Sequence, residues 1–168
     1  ISLKNSVSGI TIFNNVISGN KGHGINLAVE KDKAPHGITI KNNIIMDNKG
    51  YEIRIAKGVT GLESDYNCVY RVVSGPLTEW SGTGYSWNDW KGHSQQDAHS
   101  INRDPLFVNT ASGDFRLTVK SPCRNAGVKL DVEEMDYYGN PVPSSGVAIG
   151  VDQGKTAESD KDKADSSH

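Results

Sequence analysis

The chain has 168 residues, which is enough for one domain with a buried core. Its 18 basic and 20 acidic residues give a net charge of -2 and therefore no electrostatic case for binding nucleic acid. The sequence contains no run of about 18 apolar residues that would form a membrane span. Because Ile1 opens a strand-like segment rather than a signal peptide, we expect the chain to be a piece of a longer protein.

An internal repeat dominates residues 1–73. Residues 9–27 read GITIFNNVISGNKGHGINL and residues 37–55 read GITIKNNIIMDNKGYEIRI, an offset of 28 residues with identity at 11 of 19 positions. A weaker third copy begins at Leu62. Repeats of this length are typical of solenoids, in which one coil buries its apolar side only by stacking on its neighbours.

Apolar and polar residues alternate within each copy, so the pattern predicts strands and excludes helix. In the first copy we predict strands at 9–13, 16–18 and 24–29, with Asn and Gly at the corners, where turn and left-handed conformations are needed. Three short strands per coil, with Ile aligned over Ile, predict an all-β solenoid.

The motif GITIxNNxIxxNxGxxI resembles the right-handed parallel β-helix repeat of the pectate lyase-like superfamily, which includes alginate and chondroitin lyases and several glycoside hydrolase families. The resemblance implies an inward asparagine ladder of Asn15, Asn43 and Asn67, whose amides would satisfy buried backbone groups. Calcium or sugar binding by these asparagines is the less favoured alternative.

Residues 74–154 carry no repeat but resemble, motif by motif, the irregular C-terminal closing segment of many bacterial β-helix proteins. We therefore place them in the same domain as the coils of residues 1–73, as a Trp-bearing loop and a cover for the open end of the last coil. Residues 155–168 are predicted to be a disordered tail or linker. The motifs are Asp97-Ala98-His99-Ser100-Ile101, Asp104-Pro105-Leu106-Phe107-Val108, Gly113-Asp114-Phe115-Arg116-Leu117, Ser121-Pro122, Ala126-Gly127 and Gly150-Val151-Asp152.

The resemblance also implies a substrate groove along one parallel sheet, lined by outward side chains of successive coils. If this sheet contains residues 24–29 and 51–57, alternation makes Asn26, Glu52 and Arg54 the outward set, with Asn26 beside Arg54 at about 4.8 Å. Arg54 and Glu52 are the candidate catalytic residues and Asn26 is a candidate substrate-binding residue. An Arg pairs well with a uronate carboxylate, and in some lyases of this fold a Lys or Arg takes the α-proton. Solvated side chains on a strand face are the alternative, and the favoured one.

Trp80, Trp87 and Trp90 form an aromatic cluster with two interpretations. If exposed, these rings would bind substrate by stacking on sugars; if buried, they would cap the coil end, and capping is favoured. Asp97 and His99 lie two residues apart and could form an acid–base pair, although structural hydrogen bonding is favoured for them as well.

Cys68 and Cys123 are either a disulfide or two buried thiols, and the second interpretation is favoured. Neither cysteine has a Cys or His neighbour at a metal-ligand spacing, so no metal site is predicted. No cofactor is predicted either. The many Asp and Asn residues make calcium binding an open alternative, but the sequence contains no calcium-loop motif that would indicate it.

The resemblance implies a C-terminal fragment of a secreted or cell-surface bacterial protein that acts on polysaccharide, as a polysaccharide lyase or a glycoside hydrolase. The fragment itself is expected to be structural, because catalytic groups in such enzymes generally lie nearer the middle of a longer stack. A noncatalytic surface, adhesion or phage tail-type β-helix is the alternative, since this architecture also serves proteins without catalysis.

Overall fold

The computed structural model describes residues 1–132 and 135–154, so the predicted tail at 155–168 lies outside the described residues. The described part contains β-strands, one α-helix and a 3-10 turn at Thr110–Ser112. The strands and the helix are β1 (Ser2–Leu3), β2 (Ser8–Phe13), β3 (Val16–Ser18), β4 (Ile25–Leu27), β5 (His36–Lys41), β6 (Ile44–Met46), β7 (Ile53–Ile55), β8 (Thr60–Asp65), β9 (Cys68–Tyr70), β10 (Thr78–Trp80), β11 (Thr83–Tyr85), α1 (Trp87–Ser94), β12 (Phe107–Asn109) and β13 (Asp114–Leu117).

Three parallel sheets form the walls of a solenoid of roughly three turns, which confirms the predicted fold class. One wall is β2-β5-β8 and a second is β3-β6-β9. The third is the five-stranded sheet β1-β4-β7-β10-β11, in which β11 returns antiparallel to β10. Strand β10 extends the stacking of this sheet past residue 73, while β12 and β13 form a separate antiparallel pair in the closing segment.

The register of the coils follows the repeat. Side chains 28 residues apart lie over one another between the first two coils, and the strands at 9–13 and 16–18 are confirmed, while the third strand of the coil is shorter than predicted, at Ile25–Leu27. Most of these isoleucines are fully buried, and each contributes about 1.5–3 kcal/mol by leaving water. The stacked pairs are Ile10–Ile38, Ile12–Ile40, Ile17–Ile45 and Ile25–Ile53.

The asparagine ladder runs along one corner inside the solenoid. The side-chain amide of Asn15 donates to Asn43 Oδ1 at 3.0 Å, and that of Asn43 donates to Asn67 Oδ1 at 3.2 Å. The same acceptors take the backbone N–H groups of Asn15 and Asn43, at 3.1 Å and 3.0 Å. The ladder thus satisfies backbone groups at a corner where the strand hydrogen bonds stop.

The closing segment supplies the last place of this ladder. The backbone N–H of Asn67 donates to Ser100 Oγ at 2.7 Å, in the position that an asparagine carbonyl takes in the coils before it. The Ser100 hydroxyl in turn donates to Asp97 Oδ1 at 2.6 Å, and the Asn67 amide donates to the same oxygen at 3.2 Å. Because Ile101 also forms a parallel bridge with Cys68, this segment lies as a partial fourth coil.

Two apolar clusters close the solenoid. Trp87 and Trp90 are buried against the coil interior, and the Trp90 indole N–H donates to Asp97 Oδ2 at 2.9 Å. In the second cluster, Cys123 packs with Cys68, and both thiols are free and fully buried. A hydrogen bond with the Cys123 thiol, together with burial, raises the pKa of Cys68.

No helix in residues 1–132 and 135–154 has the length and apolar character needed to cross a membrane.

Replacing Asn43 with Ala is expected to lower the free energy of unfolding by about 1 to 3 kcal/mol, as measured by urea denaturation. The change leaves the backbone N–H of Asn15 and the carbonyl oxygen of Ile12 without their partners in the ladder. Asn88→Ala is the matched control, because Asn88 is exposed on α1, and its effect should stay within about 0.5 kcal/mol. A loss well under roughly 0.5 kcal/mol for Asn43→Ala would contradict the stabilising role of the ladder.

Candidate functional site

The outer face of the five-stranded sheet carries a row of polar side chains in register. Strands β4 and β7 each bury their first and last residue and turn their middle residue outward, because side chains alternate along a strand. Asn26 and Arg54 lie directly beside one another, as predicted, and Glu79 of β10 follows on the far side of Arg54. We call Ser2, Asn26, Arg54 and Glu79 the outer polar row.

Hydrogen bonds and an ion pair join the members of the outer polar row. Arg54 Nε lies 2.5 Å from Glu79 Oε2, and Arg54 Nη1 donates to Asn26 Oδ1 at 3.1 Å. The Arg54 side chain is 32% exposed, whereas that of Glu79 is only 6% exposed and also accepts the Gly82 N–H at 2.7 Å. The row therefore offers a guanidinium that a ligand can reach, backed by a carboxylate that neutralises its charge.

A stacked pair of rings borders this row. The rings of His23 and Tyr51 are parallel within 7°, with centroids 5.7 Å apart, and the Tyr51 backbone N–H donates to His23 Nδ1 at 2.9 Å. Burial and the positive charge of Arg54 lower the pKa of His23, while Glu79 acts in the opposite direction. Because Nδ1 accepts the Tyr51 N–H, the neutral imidazole of His23 carries its proton on Nε2, and the ring is partly buried.

The prediction that Glu52 faces outward is wrong. Strand β7 begins at Ile53, so Glu52 lies in the corner before it, where strand alternation no longer sets the direction of the side chain. Its carboxylate is fully buried, accepts the Asn48 amide at 2.5 Å and pairs with Arg71 Nε at 2.9 Å. Burial raises the pKa of Glu52, against the opposing hydrogen bonds from Asn48 and Arg71. A carboxylate without exposed surface cannot contact a substrate on the outer face.

The tryptophans take the capping role. Trp87 and Trp90 belong to the buried core, and Trp80 is packed against it with its ring centroid 5.6 Å from that of Trp90. Trp80 lies opposite Ile55 in the register, on the inner side of the sheet, whereas its neighbour Glu79 lies on the outer side. Substrate stacking on these rings, the other interpretation of the cluster, therefore has no support from their placement.

Asp97 and His99 do not form a pair with each other. Asp97 is buried at the end of the asparagine ladder, in keeping with the favoured structural role, whereas His99 Nδ1 lies 2.7 Å from Asp65 Oδ2. The backbone N–H groups of His99 and Tyr66 also donate to Asp65 Oδ1, and the rings of these two residues stack at 4.7 Å. Burial raises the pKa of Asp65, but the hydrogen bonds from His99 and Tyr66 outweigh it and the net pKa is lowered.

The coils and the strands that follow them are similar to a known protein family. A family profile described as a right-handed beta helix region matches residues 1–87, which is more than half of the chain. The chain belongs to the right-handed β-helix family. No curated protein and no solved structure matches it.

In this β-helix, sequence reasoning identified Asn26 and Arg54 as neighbours but missed Glu79. The strand that carries Glu79 lies beyond the last recognisable copy of the repeat, and its TEW sequence shares no residue with the IRI of β7. Within residues 1–132 and 135–154, no three His, Cys, Asp or Glu side chains are grouped so that they could hold a metal ion.

Acidification is expected to weaken the contact between the last coil and the closing segment at Asp65. Since the folded-state pKa of Asp65 is lowered, its stabilisation is present above the ordinary value of 3.8 and is lost as the pH falls through the folded-state pKa. The free energy of unfolding of the wild type and of Asp65→Asn should therefore converge below about pH 3.8, as measured by urea denaturation across the acidic range. Asp32→Asn, on an exposed loop, serves as the control and should follow the wild type. A difference between wild type and Asp65→Asn that does not change with pH would contradict this account.

Proposed function

We propose that this chain is the C-terminal closing portion of a bacterial carbohydrate-active β-helix protein, and that its outer polar row is part of a glycan-binding surface. The observation that carries the proposal is the hydrogen-bonded series Asn26, Arg54 and Glu79 on the outer face of a parallel sheet. The proposal includes secretion or display on the cell surface, because the polysaccharides that such a protein would bind lie outside the cell.

The chemistry of the row favours hydroxyl-rich sugars over uronates. A guanidinium beside a carboxylate presents donors and acceptors together, and such planar groups can bond two neighbouring hydroxyls of one sugar. The Arg54 charge is already paired with Glu79 at 2.5 Å, so a uronate carboxylate would have to compete with an existing ion pair. Neutral glycans need no such exchange.

The row supports binding rather than catalysis within this portion of the protein. Glycoside hydrolysis commonly uses two carboxyl groups across the scissile bond, and the outer polar row supplies only Glu79. A lyase needs a base, and the Arg54 guanidinium is already engaged by Glu79 and Asn26, so Arg54 fits a binding role better than the proton abstraction that an arginine performs in some lyases of this fold. The buried Glu52 supplies neither group. The structural role proposed for this chain agrees with these limits.

A noncatalytic surface, adhesion or phage tail-type β-helix is the second candidate. The outer face of the β2-β5-β8 sheet favours it, because Thr11 and Thr39 stack in register there and Glu63 follows. A stack of threonines offers hydroxyls for packing along a rod and no group for acid–base chemistry.

Loss of Arg54 is expected to weaken glycan binding about tenfold or more, the effect of removing hydrogen bonds from a charged group. Isothermal titration calorimetry with neutral xylan and galactan oligosaccharides, and with polygalacturonate, measures it for the wild type and for Arg54→Gln/Glu79→Gln. The double change removes both charges together, so Glu79 is not left as a buried unpaired carboxylate. Lys120→Ala is the control, since Lys120 is exposed and lies outside the row. Equal affinity of the double variant and the wild type would overturn the role of the row.

This chain alone is expected to show no lyase turnover on polygalacturonate or alginate, because the two candidate bases of the outer polar row, Arg54 and Glu79, are paired with each other. The assay follows the ultraviolet absorbance of the unsaturated uronate that elimination produces, with an active pectate lyase as the positive control. A steady rise in absorbance with this chain, abolished by Arg54→Gln/Glu79→Gln, would show that the row is catalytic.

A further inference from the structure

The closing segment contains a groove whose lining residues are all different from those of the outer polar row. It lies between strand β13 and the turn at residues 136–140, and has a volume of about 640 Å³. Its walls are formed mainly by Asp114, Arg116, Tyr137, Tyr138 and Asn140, and we call it the closing-segment groove.

The ring of Tyr137 is the exposed apolar surface of this groove. It is 80% exposed, more than any other large hydrophobic side chain of residues 1–132 and 135–154. The ring stands at 90° to that of Tyr138, with centroids 5.1 Å apart. An exposed aromatic ring beside polar groups is typical of sites that stack on a partly apolar ligand.

The turn that carries Tyr137 is held in place by one carboxylate. Asp136 Oδ1 accepts the backbone N–H groups of Tyr138 and Asn140, each at 2.8 Å. Asp136 Oδ2 accepts the Asn140 amide at 2.9 Å and the Gln153 N–H at 2.6 Å. With four hydrogen bonds fixing the turn, little conformational entropy is left to lose when a ligand binds to the ring.

The facing wall carries an ion pair joined by two hydrogen bonds. Arg116 Nε lies 2.9 Å from Asp114 Oδ1 and Nη2 lies 2.6 Å from Oδ2. The Arg116 side chain is 57% exposed, so a ligand can reach its guanidinium. The pairing lowers the pKa of Asp114 to about 2, so both groups stay charged at neutral pH and their charges cancel.

We propose that the closing-segment groove binds one neutral pyranose unit of a glycan. The Tyr137 face packs on the C–H face of the sugar, Arg116 donates to a hydroxyl, and Asp114 accepts from the next one. The side-chain carbonyl oxygen of Asn140 is a further acceptor at the edge of the ring. The site shares no residue with the outer polar row, and it has in common with the proposed function only the class of ligand.

Calorimetric titration of the full chain with xylohexaose, cellohexaose and mannohexaose tests the site. Tyr137→Ala should weaken binding of at least one of these probes about tenfold, while Tyr137→Phe, which keeps the ring, should bind as the wild type does. Val119→Ala is the matched control, because Val119 is a 74% exposed side chain in the same segment and lies outside the groove.

Two results overturn the site: no binding of any of the three neutral probes, or equal affinity of Tyr137→Ala and the wild type for every probe that binds. The outcome is separate from that of the outer polar row. If Arg54→Gln/Glu79→Gln abolishes binding and Tyr137→Ala does not, the groove is overturned and the row stands. The reverse result supports the groove and overturns the row, and losses in both variants support both sites.

Discussion

Backbone polar groups at a corner of the solenoid need partners inside the coil, and asparagine side chains supply them. The amides of Asn15, Asn43 and Asn67 donate to carbonyl oxygens at this corner. The carbonyl oxygens of Asn43 and Asn67 each accept from the asparagine of the coil before. This contact works only when the coils are in register, so it selects the same alignment that places Ile over Ile in the interior. The hydrogen bonds of the buried polar groups and the packing of the apolar side chains therefore favour the same register between the coils.

The same register produces the candidate site. Because the strands of the five-stranded sheet are parallel and aligned, the middle residue of each strand lies beside the middle residue of the next. Asn26, Arg54 and Glu79 become neighbours although 53 residues separate the first from the last. A repeating fold thus builds an extended row of groups, which suits a polymer of repeating sugar units better than a small compact ligand.

The closing segment covers the open end of the last coil of the solenoid. Ser100 and Asp97 accept the last donors of the asparagine ladder, and Trp87 and Trp90 pack against the apolar interior. The same segment holds Tyr137 out into solvent on a fixed turn. Closure of the solenoid and display of a second candidate site are thus combined in one irregular stretch.

The repeat by itself determined the strands of the first two coils and the stacking of their isoleucines, because these depend on alternation and on a 28-residue offset that can be read along the chain. The asparagine ladder was expected from the resemblance of the repeat motif to a known family. Only the tertiary structure decided the partners of the side chains at corners and beyond the repeat. Glu52 turned inward to Arg71 because it precedes its strand, and His99 met Asp65 because the closing segment lies over the last coil. Such contacts join distant parts of the chain without any periodic pattern, so spacing in the sequence does not reveal them.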